Sequence, residues 1–132
     1  MPLNKREIKK ILNNTDIMYI ATSSKGAEPH IAPLWFIFHK GKVYFETHLP
    51  TKKFKNISKN NRIALCFGGE DTYIIEGSVK WWEEKDAPIP FRKLFWKKYR
   101  EKMDDSYITD KTRIFEFIIE KEISWHYWPT WE

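Results

Sequence analysis

Apolar and polar positions along this chain follow two different periods. Near the start, Ile8, Ile11 and Leu12 recur at helical spacing. Asn4 followed by Glu7 has the spacing of a capping box, and Leu3 and Ile8 hold the staple positions around it. This predicts a helix that ends at Asn13-Asn14. Strand character follows. Ile17 to Thr22 is apolar and β-branched, Ser24-Lys25-Gly26 supplies a turn with Gly available for positive φ, and Pro29 to Phe38 is a second run. The end of that run, Trp35-Phe36-Ile37-Phe38, is apolar on both parities, so both faces of the strand should be covered. After a hairpin turn at His39-Lys40-Gly41-Lys42, Val43 to Thr47 is the third strand. The three strands read as an antiparallel meander.

The second half alternates similarly. Pro50 and Thr51 open a helix running to about Asn60, with Phe54 and Ile57 on its inner face. Arg62 to Phe67 is a fourth strand and Gly68-Gly69-Glu70-Asp71 a turn. Tyr73 to Trp82 is a fifth, with Tyr73, Ile75, Gly77, Val79 and Trp81 on one face. Gly77 inside a strand predicts a bulge or a close approach of backbone. A helix follows Pro88, with Phe91, Leu94, Phe95, Tyr99 and Met103 as its stripe. Arg113 to Glu122 is a sixth strand, followed by an aromatic tail. Six strands with a short helix between the third and fourth predict a mainly β protein, a small antiparallel barrel with flanking helices.

Composition narrows the class. At 132 residues the chain reads as one domain, 1–132, and 42% hydrophobic residues exclude disorder. No apolar run approaches the roughly 18 residues of a membrane span. The charged start, Asn4-Lys5-Arg6-Glu7, predicts no secretory leader. A single cysteine, Cys66, excludes an internal disulfide and a multi-cysteine zinc site, and its apolar strand predicts a buried core thiol. Together these predict a reduced, cytoplasmic protein. The net charge of +5 favours an anionic ligand. Of seven Trp, three (Trp125, Trp128 and Trp131) fall at the end, where they would close the barrel or line a cleft. His30, His39, His48 and His126 show no metal-ligand spacing, and no Gly-rich phosphate loop or nucleophile elbow is present.

The strongest chemical signal is Thr47-His48-Leu49-Pro50-Thr51-Lys52-Lys53. A strand ends there and a helix begins with a hydroxyl and two ammonium groups. Free N–H groups and a partial positive charge at a helix start suit a phosphate. Thr51 could cap the helix or donate to that phosphate. The alternative is a plain solvated helix start. A second signal is His30-Ile31-Ala32-Pro33-Leu34-Trp35. Proline confines a strand to a sheet edge, which leaves backbone groups free to meet a flat ring, with Trp35 or His30 packed on it; the same proline also protects an edge from aggregation. The helix after Pro88 carries six basic residues (Arg92, Lys93, Lys97, Lys98, Arg100 and Lys102). It reads as a solvated face, with nucleic-acid binding as the rival. Phe91, Phe95 and Tyr99 line up inward, where stacking on bases is impossible, so neither nucleic acid nor membrane is the expected partner.

In order and spacing these segments resemble the pyridoxamine 5′-phosphate oxidase-like family of flavin-binding split barrels, over about residues 5 to 128. The resemblance rests on Ile20-Ala21-Thr22, Pro29 to Phe36, Val43-Tyr44-Phe45-Glu46-Thr47, Thr51-Lys52-Lys53, Asn56-Ile57, Arg62-Ile63-Ala64-Leu65 and Glu76-Gly77-Ser78-Val79. It implies a homodimer with two cofactors bound between subunits. Members of the larger group bind flavin mononucleotide (FMN), a deazaflavin coenzyme or haem. The resemblance places His30, Ile31, Ala32, Pro33 and Trp35 along the isoalloxazine. It places Thr47, Thr51, Lys52 and Lys53 on the cofactor phosphate, and Thr72 where a polar contact comes from the partner chain. Lys52 stands where the family's usual arginine would be. The tail Ser124 to Glu132 has no arginine to complete the family's Arg–His substrate pair, which predicts against vitamin B6 oxidation. The resulting expectation is a flavin-dependent oxidoreductase acting on a small molecule. A deazaflavin-dependent reductase of the same fold and a non-enzymatic nucleic-acid-binding barrel are the alternatives.

Overall fold

The computed structural model describes residues 2–100 and 109–126. Helix α1 (Lys5–Asn14) opens on the expected capping box. The Glu7 N–H donates to the Asn4 side chain and the Asn4 N–H to the Glu7 carboxylate, each at 2.9 Å. Leu3 and Leu12 are buried, and Ile8 and Ile11 pack on the core beside them. Losing such a cap costs about 1 kcal/mol. Asn4→Ala is therefore expected to lower the melting temperature by about 4 °C, read by circular dichroism.

Seven strands follow where six were expected: β1 (Ile17–Ser23), β2 (Pro29–Trp35), β3 (Ile37–His39), β4 (Lys42–His48), β5 (Ile63–Gly68), β6 (Thr72–Glu83) and β7 (Thr112–Trp125). Helix α2 (Lys52–Lys59) joins β4 to β5, and α3 (Phe91–Tyr99) lies between β6 and β7. The extra strand arises because the run Pro29 to Phe38 breaks at Phe36. Its first part pairs with β1 and its last with β4, so the meander's pairings hold through two half-strands. Every pairing is antiparallel, in the order β2-β1-β5-β6-β7-β4-β3. The two ends of that order are β2 and β3, and one residue separates them. The sheet therefore curls back on itself as a split barrel.

Phe36 bends because α3 supplies what the ladder does not. Its N–H donates to the Tyr99 hydroxyl at 3.0 Å. That hydroxyl lies 2.9 Å from the Phe36 carbonyl and 2.7 Å from the Asp16 carbonyl. The Lys98 ammonium donates to the same Phe36 carbonyl at 3.0 Å and sits 3.7 Å above the Phe36 ring. Burial pulls the Lys98 ammonium down to about 8, with Asp16 opposing, and pushes the Tyr99 phenol well up. Lys98 thus departs from the solvated basic face expected of this helix.

Two cores result. Met18, Ile20, Phe36, Phe45, Leu65, Ile75 and Phe115 fill the barrel. Ile37, Tyr44, Phe91, Phe95, Tyr99 and Ile114 form a second layer between the sheet and α3. Strand β4 is buried on both faces because it separates them. Gly77 sits at a register shift with β7 and approaches it closely; a Cβ there would lie 2.0 Å from the Ile118 carbonyl oxygen. In the first turn, positive φ falls on Ala27 and not on Gly26. Cys66 is half-buried on the sheet's outer side, opposite Tyr19, because β5 alternates and Leu65 and Phe67 take the inside. Trp81 packs on Phe54 and Phe115 at the rim, 38% exposed. Of the terminal tryptophans, Trp125 ends β7 opposite Thr72, 41% exposed. Trp128, Trp131 and Met103 lie outside the described residues. The Leu3 N–H donates to Ser124 Oγ at 3.0 Å and ties the start of the chain to β7. Among the described residues, no helix is long and apolar enough to cross a membrane.

Candidate functional site in the barrel split

The bend at Phe36 opens the site. Strand β3 covers β4 only from Lys42 to Tyr44. Beyond Tyr44, the stretch Phe45–His48 is paired, among the described residues, on one side alone, with β7. Strand β2 is likewise paired, among the described residues, on one side alone, with β1. Two half-bonded edges therefore face the split. In an antiparallel pair, alternate residues turn N–H and C=O away from the partner. Pro29 and Pro33 share one parity and lack an N–H, so that parity belongs on the open edge. The Ile31 N–H and the carbonyls of Pro29, Ile31 and Pro33 line that edge. Ile31 is 68% exposed, while Ala32 and Leu34 pack on the barrel core.

At the mouth of the split the chain turns from β4 into α2. Thr51 is the N-cap of α2 and its hydroxyl accepts from the Phe54 N–H at 3.3 Å. The same hydroxyl donates to the His48 carbonyl at 2.8 Å and lies 3.0 Å from the buried Thr47 hydroxyl. Of the two roles open to Thr51, the cap is the one formed, and its single proton is already used. Thr47 is then the donor to Thr51. Lys52 and Lys53 follow, and neither makes an ion pair among the described residues. Helix geometry leaves their N–H groups without intrahelical partners. Two ammonium groups outside any ion pair and two N–H donors at one helix start are suited to an anion. Farther along α2, Asn56 donates to the Thr22 hydroxyl at 3.1 Å, and Thr22 is the register partner of His30. The helix thus spans the barrel end from β4 to the β1–β2 pair.

Two further predicted positions lie apart from this helix start within one chain. The Trp35 ring stacks on Tyr99 (centroids 4.6 Å apart, 5° between planes), so one of its faces is already covered. Thr72 begins β6 and donates to the Gly69 carbonyl at 2.8 Å. Glu83, at the other end of β6, shares Arg113 as a register partner with Thr47, so Thr72 lies at the far end of the barrel from the helix start.

Sequence reasoning missed one group here. Glu46, next to Thr47 on the unpaired stretch of β4, has a side chain only 7% exposed. Its Oε2 has no hydrogen-bond partner among the described residues and lies 3.4 Å from His48 Nε2. The His48 Nδ1 is 3.3 Å from the Thr112 hydroxyl. Burial pushes the Glu46 carboxyl up to about 7, against the pull of Lys53. A carboxylate in the run Val43-Tyr44-Phe45-Glu46 was the available signal, since its neighbours predicted burial.

A family model described as pyridoxamine 5′-phosphate oxidase matches residues 5–126. The chain belongs to the pyridoxamine 5′-phosphate oxidase family. No curated protein matches the sequence. Solved structures resemble the fold across nearly the whole chain. A conserved hypothetical protein from Mycobacterium tuberculosis is 17% identical with a TM-score of 0.78, covering 95% of this chain and 86% of its own. An F420 reductase is 14% identical with a TM-score of 0.74, covering 87% and 94%. The heme storage protein HutZ from Vibrio cholerae is 13% identical with a TM-score of 0.75, covering 93% and 94%. One split-barrel fold thus serves proteins described by different ligands, and within the pyridoxamine 5′-phosphate oxidase family the site residues must carry the argument for this chain.

Proposed function

We propose that this protein binds FMN between two copies of the chain and acts as an oxidoreductase on a small molecule. The observation that carries the reading is the pair of ammonium groups, Lys52 and Lys53, at the start of α2 where the chain leaves the unpaired stretch of β4, neither in an ion pair among the described residues. The ammonium groups and the N–H donors of Lys52 and Lys53 hold the phosphate. Ile31 and the carbonyls of Pro29 and Pro33 border the ring edge, with His30 and Ala32 behind them. Bound flavin would supply hydride or electron transfer. The protein's part is to orient the ring and to set the charge around it. No acid–base dyad is required for that part.

Pairing of two copies is supported by the outer face of β1 and β2. Ile17, Tyr19 and Ile31 are 43%, 47% and 68% exposed on neighbouring strands, with Cys66 half-buried beside them. Apolar groups clustered in this way mark an association surface. Light scattering at micromolar concentration is expected to give twice the chain mass of 16.0 kDa. A monomer would sink the dimeric site, and with it the partner-chain role proposed for Thr72.

The purified protein, titrated with FMN, is expected to quench flavin fluorescence at a stoichiometry of one per chain. Parallel titrations with a deazaflavin coenzyme and with haem discriminate the other ligand classes. The deazaflavin offers the same phosphate and a similar flat ring. Tighter binding of either, with none of FMN, overturns the FMN reading.

A further inference from the structure

Glu46 is hard to reconcile with a site for an anion, and it lies beside the groups assigned to one. It occupies the stretch of β4 that flanks the split. Its immediate neighbour in sequence, Thr47, is hydrogen-bonded to the cap of α2. Its side chain is more than nine-tenths buried and one carboxylate oxygen has no hydrogen-bond donor among the described residues. An ionised carboxylate in that state is costly, and a buried group escapes the cost by keeping its proton.

Among the described residues the charged groups around it are few. From α2, Lys53 is the cation whose field acts on it. From its own strand, His48 Nε2 stands 3.4 Å away without hydrogen-bond geometry. Lys42 on β4 pairs with Glu116 on β7 at 3.6 Å, and Tyr44 is hydrogen-bonded to Glu116. Arg113, also on β7, turns to the carbonyls of Asp110 and Thr112 and to Glu83. From α3, Arg92 is held by Glu84 through two contacts of 2.8 and 2.9 Å. Among the described residues, Lys53 is the cation set against Glu46, with His48 beside it.

We infer that Glu46 competes with the ligand phosphate for Lys53, so that phosphate binding is coupled to uptake of one proton by the Glu46 carboxyl. This rests on the FMN reading above. In the free protein the carboxyl is poised near neutrality, burial raising it and Lys53 holding it down. A phosphate on Lys53 cancels that cation and adds negative charge of its own. Both changes favour the protonated carboxyl. By reciprocity, a ligand that raises proton affinity binds less tightly as the proton is withdrawn. Glu46 is thus a specificity determinant of the site. It disfavours a phosphate where it is ionised and leaves phosphate-free ligands unaffected.

The test is FMN affinity between pH 7 and 8.5, above the second ionisation of a phosphate ester at about 6. The dissociation constant is expected to rise about tenfold across that interval, which corresponds to about 0.7 proton taken up on average over it, measured by calorimetry in buffers of different ionisation enthalpy. Riboflavin, which has the ring and no phosphate, is expected to show no such rise. Glu46→Gln should abolish both the rise and the proton uptake, while His48→Gln should keep them. The Glu46 carboxyl carbon, followed by NMR in the unmodified protein, should titrate near neutrality and shift upward when FMN is added. That readout stands even if Glu46→Gln fails to fold. FMN bound with a flat pH dependence and no proton uptake overturns the inference alone. A rise that persists in Glu46→Gln and vanishes in His48→Gln overturns it too. FMN that binds at no pH overturns the FMN reading and the inference with it.

Discussion

Replacing Lys52 and Lys53 together by Ala is expected to weaken FMN binding by about a hundred- to a thousand-fold while leaving the fold intact. Hydrogen bonds to charged groups contribute about 1.5–3 kcal/mol each. Taken at the lower part of that range for a site open to solvent, two such contacts amount to about 3–4 kcal/mol, which is two to three powers of ten in affinity. Neither lysine makes an ion pair among the described residues, and Lys52 is exposed. The Glu46 carboxyl, which Lys53 holds down, takes up a proton in its absence and leaves no buried charge unpaired. Flavin fluorescence gives the affinity and thermal melting gives the control. An affinity within threefold of the parent, at equal melting temperature, would place the phosphate elsewhere. Lys52→Arg is the informative companion. It restores the planar fork usual in this family and should tighten binding if Lys52 contacts phosphate directly.

Tyr99→Phe is expected to destabilise the fold by about 2–3 kcal/mol, against roughly 1 kcal/mol for a typical hydrogen bond. The change keeps the ring that stacks on Trp35 and removes only the hydroxyl. Phe36 is fully buried, and its N–H then has no acceptor. The Asp16 carbonyl loses its donor, whereas the Phe36 carbonyl keeps Lys98. The asymmetry between making a hydrogen bond and orphaning a buried group sets the size of the effect. In a chain of this length the melting temperature should fall by about 10 °C. A fall of less than about 2 °C would show that the bend is held by packing alone. Because the bend also sets where β2 lies against the split, FMN affinity should fall along with stability.

The contrast between these two sites shows which parts were legible in the sequence. The Thr51-Lys52-Lys53 helix start depends on neighbours a few residues apart, so local rules of capping and charge predicted it. The helix α1 cap and the Gly77 irregularity were legible for the same reason. The break at Phe36 depends on Tyr99, which is 63 residues away. No local signal marks it, since Trp35-Phe36-Ile37-Phe38 reads as an uninterrupted strand. Glu46 was hidden differently. Its burial followed from its neighbours, but its missing donor is a property of everything packed around it. Cys66 was misplaced because an apolar run does not say which parity faces inward once one side of the sheet also carries Tyr19 and Ile17.

Strand order has a consequence for how the protein is made. Strand β7 is synthesised last of the seven, yet it lies between β6 and β4. Until residues 112–125 emerge from the ribosome, β4 has only the short β3 beside it, and the long β6 has a bare flank. Neither half can complete its hydrogen bonding through the whole synthesis of residues 49–111. During that interval the nascent chain carries two unsaturated edges rich in aromatic residues, the features that invite intermolecular pairing. The strand that seals the barrel is its keystone, and a ribosome stalled before residue 112 would hold an open, aggregation-prone half-barrel.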